Sequence, residues 1–99
     1  MNDAPIRKKT PPQQRNIHFS LLSPVNSRVY LTGTFNGWSP NSIEMEHTGD
    51  GHFQQSIALP KGRHEYKFIV NDTWVADPTC PHWKPNEHGS LNSVIHIPH

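Results

Sequence analysis

Cysteine is almost missing: Cys80 stands alone, so no disulfide can form within the chain. Stability must come from burial and hydrogen bonding, and a reducing, cytoplasmic setting is expected. Long apolar runs are missing as well. Nothing approaches the roughly 20 apolar residues of a membrane-spanning helix, and the N-terminus lacks the apolar core of a secretory signal. A membrane is therefore not an expected partner. The third absence is helical periodicity. No window of about 11 residues repeats its apolar positions at the helical period between caps, so essentially no α-helix is predicted. Apolar residues are scarce in total, at 32% with a mean hydropathy of −0.74. In a 99-residue chain that supplies one thin core between two layers.

Positive charge is scarce where a nucleic-acid binder would need it. The net charge of +1 is unevenly distributed. Residues 1–15 carry Arg7, Lys8, Lys9 and Arg15 against Asp3, whereas the remaining body sets five Lys/Arg against seven Asp/Glu. Phosphate neutralisation drives nucleic-acid affinity, and a body with excess carboxylate does not supply it. No nucleic-acid partner is expected. Residues 1–15, with three prolines and almost nothing apolar, read as a disordered, basic and proline-rich tail. The folded module is expected over residues 16–99.

Catalytic patterns are missing in turn. There is no nucleophile-elbow sequence. The seven carboxylates of the body lie scattered over turns and strand positions, not as the opposed pair a glycosidase needs. Eight histidines, at positions 18, 47, 52, 64, 82, 88, 96 and 99, are many for this length. None forms a His-x-x-x-His pair on a helix, and Cys80-Pro81-His82 lacks the second pair of a zinc set. Nothing in the sequence beside Cys80 marks it as a reactive nucleophile. Neither catalysis nor a metal or other cofactor is expected.

What the sequence does have is alternation. Ile17, Phe19 and Leu21 alternate with His18 and Ser20, and Val29, Leu31 and Gly33 with Tyr30 and Thr32; Phe53, Gln55, Ile57 and Leu59 form another alternating run, and Tyr66, Phe68 and Val70 share one face. A short segment Thr73–Val75 follows the Asn71-Asp72 turn, and Asn92–Ile97 closes the chain. Ten prolines and six glycines punctuate these runs. Six or seven short strands at this spacing predict an all-β, immunoglobulin-like antiparallel β-sandwich.

Of the nine aromatic residues, Phe19, Phe35, Phe53, Tyr66 and Phe68 fall on apolar faces and read as core. The tryptophans do not. Trp38 follows Phe35-Asn36-Gly37, Trp74 follows a tight turn, and Trp83 lies in a proline-bounded loop. Two readings stand at this point. A loop indole can stack on the C–H face of a sugar while polar neighbours bond its hydroxyls, or one tryptophan can be the inter-sheet core residue of the sandwich.

Three linked motifs, VYLTGTFNGWSP, LPKGRHEYKFIVNDTWVADP and HGSLNSVIHI, closely resemble the family-48 carbohydrate-binding modules. That family includes the glycogen-binding domain of the AMP-activated protein kinase β subunit and the N-terminal early-set domains of isoamylases and glycogen-branching enzymes. The resemblance covers residues 16–97. It implies a non-catalytic module that binds α-1,4-linked glucan such as glycogen, starch or a maltooligosaccharide. By position it implies a glucan site at Trp38, Lys67 and Trp74, with Ser90 and Asn92 from the late loop. His88 stands where the kinase-type domains carry a leucine. Lys67 alternates with Tyr66 and Phe68 and is expected to point to solvent. Asn36 and Asp77 are open to either a turn-forming or a ligand role, and Trp83 has no family counterpart. The alternative implied is a protein-interaction module. Because the chain reads as free-standing from Met1, a glycogen-metabolising enzyme or kinase partner would then act in trans.

Overall fold

The computed structural model describes residues 14–98. The tail predicted for residues 1–15 thus lies largely outside the described residues. Its last member, Arg15, is already in the first strand, opposite Leu59. Eight strands follow in order: β1 (Arg15–Leu22), β2 (Val29–Gly33), β3 (Glu46–Gly49), β4 (His52–Leu59), β5 (Gly62–Val70), β6 (Thr73–Val75), β7 (Trp83–Pro85) and β8 (Leu91–Ile97). Among the described residues the only helical element is a single 3-10 turn, Thr34–Asn36.

The strands form two antiparallel sheets. One has the order β1-β4-β3, and the other β2-β5-β8-β7 with β6 also paired to β5. The chain moves between sheets at Ile43–Met45. There Leu31 N–H donates to Ile43 O and Met45 N–H to Val29 O, at 2.9 and 2.7 Å, before β3 joins β4. Met45 is buried by this crossing. The sequence reading has no strand here, because Glu44, Glu46 and His47 hide the alternation. It also places Trp83 in a loop, where the structure has the short edge strand β7 paired to β8.

Turn chemistry sets the registers. Asn71 and Asp72 both have positive φ, 49° and 71°, the requirement of a two-residue hairpin turn matching strand twist. The Asn71 side chain also accepts from Arg28 N–H at 2.9 Å, tying this hairpin to the start of β2.

Between the sheets sit Phe19 and Leu21 of β1, Val29 and Leu31 of β2, Phe53 and Leu59 of β4, Tyr66 and Phe68 of β5, and Ile97 of β8. Phe35 packs against this cluster, so all five aromatics read as core lie in or on it. Each fully buried side chain of this size contributes about 1.5–3 kcal/mol. None of the three tryptophans belongs to the cluster, which removes the reading of an inter-sheet tryptophan.

Tyr66 is the polar exception in the core. Its ring meets Phe19 edge-on with centroids 4.9 Å apart, and its hydroxyl donates to Asp77 Oδ2 at 2.6 Å. Asp77 Oδ1 accepts from the N–H and hydroxyl of Thr79, so Asp77 is a structural turn residue. Burial, reinforced by the Asp77 bond, pushes the Tyr66 phenol far above its ordinary pKa. Its native pKa exceeds the unfolded one, so its contribution is complete below about pH 10 and falls as the unfolded phenol ionises above that. Tyr66→Phe should therefore cost about 1–3 kcal/mol near neutral pH. In urea titrations at rising pH, that deficit should narrow above about pH 10. A deficit that stayed constant to strongly alkaline pH would contradict this role.

Candidate functional site

The outer face of the β2-β5-β8-β7 sheet carries a row of polar side chains. Thr32 stands opposite Lys67, and Asn92 opposite Lys84. Lys67 and Asn92 adjoin, one step beyond the Tyr66–Ser93 pair. Further along β5, Trp74 stands opposite Ile69, which is buried but outside the inter-sheet cluster.

Trp38 reaches this face through the turn after β2. Asn36 Oδ1 accepts from Gly33 N–H at 2.9 Å and from Thr32 Oγ1 at 3.4 Å. Asn36 Nδ2 donates to Ser42 Oγ at 3.0 Å. Asn36 is therefore a turn residue. Gly37 and Trp38 then adopt left-handed backbone, with φ of 65° and 61°, and Trp38 N–H donates back to Gly33 O at 2.9 Å. A left-handed tryptophan costs roughly 1–2 kcal/mol. The result is an indole beside Trp74, ring centroids 6.5 Å apart and planes inclined by 35°. Trp74 is 44% exposed.

Facing the indoles is the loop between β7 and β8, organised by Asn86. Its Oδ1 accepts from the backbone N–H of His88 and Ser90, at 2.9 and 3.1 Å. Its Nδ2 donates to Ser90 Oγ and to Asn92 Oδ1, both at 2.9 Å. The loop folds over Lys67, whose Nζ donates to Ser90 Oγ at 3.0 Å and to Leu91 O at 2.8 Å. Lys67 does lie on the face opposite Tyr66 and Phe68, but it is only 6% exposed, not solvent-directed as alternation suggested. Burial lowers its pKa from the ordinary lysine value. Asn92, 8% exposed, donates through Nδ2 to Glu65 Oε1 at 3.0 Å. Glu65 Oε2 also lies 3.7 Å from Lys84 Nζ.

These elements enclose an open groove of about 690 Å³. All six residues implied by the resemblance, Trp38, Lys67, Trp74, His88, Ser90 and Asn92, line it. They are not equivalent. Trp38, Trp74, Ser90 and His88 present surface, whereas Lys67 and Asn92 are floor groups already bonded within the protein. The His88 ring lies at the rim, 3.9 Å from Glu87, with both side chains more than 80% exposed. An ion pair that exposed contributes little. Trp83, 60% exposed, lies outside the groove.

Glu65, Lys84, Pro85, Asn86 and Glu87 also line the groove and were not expected there. Glu65 was within reach, since it shares the outward period of Lys67 on β5. For Asn86 the signal is Pro85-Asn86 followed by Gly89, a side-chain-capped turn pattern. Lys84 had no signal, because its strand was read as a loop.

A β-sandwich with adjacent tryptophans beside a bank of hydrogen-bonding groups has the architecture of a carbohydrate-binding module. Residues 23–99 match the family described as the glycogen recognition site of AMP-activated protein kinase, and the chain belongs to that family. It is 33% identical over 96 residues to the Bos taurus 5'-AMP-activated protein kinase subunit beta-1, covering 97% of this chain and 34% of that protein. It is 33% identical over 87 residues to the Homo sapiens subunit beta-2, covering 88% and 31%. Against the Sus scrofa subunit beta-1 the figures are 36% over 69 residues, covering 70% and 53%. The chain thus spans about a third to a half of these relatives.

Gly33 ties this site to the fold. A Cβ there would collide with the Glu65 carbonyl oxygen and lie 2.7 Å from the Phe35 ring. Neither neighbour has room to move, since one is backbone and the other packs on the core. Gly33→Ala should cost on the order of 3 kcal/mol by overpacking. In thermal unfolding followed by circular dichroism, a melting temperature equal to wild type would refute that tight approach.

Proposed function

We propose that this chain binds α-glucan, glycogen or starch chains of α-1,4-linked glucose, and performs no chemistry on it. Trp38 and Trp74 stack on successive glucose faces. Ser90 and the floor groups Lys67 and Asn92 supply polar contacts to sugar hydroxyls, and His88 packs at the rim in place of an aliphatic residue.

The observation that carries this reading is the indole pair, 6.5 Å apart and inclined by 35°. Inclined platforms suit a chain whose sugars turn progressively, as α-1,4-linked glucose does. Membership of a glycogen-recognition family supports the same ligand. Magnitudes point to weak binding. Each stack removes about 100 Å² of apolar surface, worth roughly 2–3 kcal/mol. Two stacks, less the cost of association, leave a Kd of about micromolar to millimolar.

Affinity electrophoresis in glycogen gels and tryptophan-fluorescence titration with maltoheptaose test the reading. Wild type should be retarded, and its emission should change on saturation. Trp74→Ala, at an exposed position, should fold normally and bind at least about tenfold more weakly. Trp38→Ala should behave alike. Incubation with glycogen should release no reducing ends. Unretarded wild type, or full retardation of both alanine variants, would sink the proposal.

A further inference from the structure

The geometry points to Asn86 as the positioning residue of the groove, acting on the ligand through Ser90 and Asn92 rather than by touching it. This inference rests on the glucan-binding reading above. Its physical basis is the allocation of hydrogens.

A serine hydroxyl has two acceptor lone pairs and one proton. Ser90 Oγ accepts from Lys67 Nζ at 3.0 Å and from Asn86 Nδ2 at 2.9 Å. Both lone pairs are thereby taken, and the one remaining hydrogen is free to donate outward from an exposed side chain. Ser90 is thus fixed as a donor to whatever occupies the groove. Asn92 is fixed in the same way. Asn86 Nδ2 donates to its Oδ1 while Glu65 Oε1 takes one of its hydrogens, so its amide cannot turn over without two bad contacts. One amide nitrogen, that of Asn86, sets both orientations.

The two ends of the Asn86 amide have separable jobs. The oxygen accepts from His88 N–H and Ser90 N–H, at 2.9 and 3.1 Å, and so builds the loop. The nitrogen orients the groove. Asn86→Asp keeps the first job and reverses the second. The carboxylate still accepts both backbone N–H groups, but its other oxygen faces Ser90 Oγ and Asn92 Oδ1. The Ser90 proton is then drawn back to the carboxylate, and the Asn92 oxygen is repelled.

Asn86→Asp, Asn86→Ala, Ser90→Ala/Asn92→Ala and the combined variants are titrated with maltoheptaose by calorimetry, with melting temperatures measured in parallel. Asn86→Asp should keep a near wild-type melting temperature and bind roughly tenfold more weakly. In the Ser90→Ala/Asn92→Ala background its penalty should shrink to about twofold or less, because the groups it orients are gone. Asn86→Ala, which also removes the cap on the His88 and Ser90 N–H groups, serves as the second variant: its melting temperature should fall, and its binding penalty should shrink only in part in the same background. Wild-type affinity in Asn86→Asp overturns the proposal. So does a penalty that persists in full in the double-alanine background, which would mean that Asn86 contacts the sugar itself. Failure of the glucan reading is separately visible, as unimpaired binding by Trp38→Ala and Trp74→Ala. The ligand-free readout is the Asn92 side-chain amide resonance, which should move in Asn86→Asp without any sugar, and its constancy also overturns the proposal.

Discussion

Phe68 and Lys67 are neighbours in the chain, and both are nearly closed to solvent, at 0% and 6% exposure. They can be so only because the pleat of β5 sends them to opposite layers. Phe68 enters the core between the sheets, while Lys67 enters a polar layer on the outer face. Glu65, two residues earlier, reaches the same layer and holds Asn92. Ile69, two residues later, lies opposite Trp74. A one-residue slip of β5 would push an ammonium into the core and a phenyl ring beneath the groove loop. That slip is opposed from both sides, by the Leu31–Phe68 pairing with β2 and the Tyr66–Ser93 pairing with β8. Core register and groove geometry are therefore one constraint.

The polar layer follows from that placement. A buried ammonium needs hydrogen-bond acceptors. The β7–β8 loop supplies them, through Ser90 Oγ and Leu91 O. The loop in turn needs a cap for its own N–H groups, which Asn86 provides. Residues that line the groove are thus also residues that keep the outer face satisfied. The turn carrying Trp38 is built by similar means, with Asn36 bonding Gly33 N–H and the left-handed pair at Gly37 and Trp38 closing it.

Much of this was legible in sequence because period-2 alternation reports burial directly. The all-β sandwich, the aromatic core and the placement of Trp38 and Trp74 beside turns all follow from it. What alternation cannot report is a side chain buried on the outer face. Lys67 reads as exposed because nothing in its own strand covers it; the cover comes from a loop more than twenty residues away in sequence. Short strands are the other blind spot. The edge strand β7 has three residues, one a proline, and reads as a loop in isolation. β3 has four, with charged or polar residues dominating, and its existence depends on pairing with β4. In both cases pairing across the sheet outweighs local propensity.

The groove is also where the chain departs from what stability alone would select. An indole in left-handed backbone, a second indole partly in water and an ammonium under a loop are each unfavourable on their own. They occur together, on one face, while the opposite side of the same sheet is a conventional apolar layer. Local rules broken at one place and obeyed elsewhere are the pattern expected of the proposed binding surface. The pattern also explains why the breach is affordable in so small a domain. The strained turn is anchored by Gly33 and Phe35 against the core, and the buried lysine by a strand whose other face is the core. Each unfavourable element is attached to the most strongly buried part of the molecule, so the groove is braced without a core of its own.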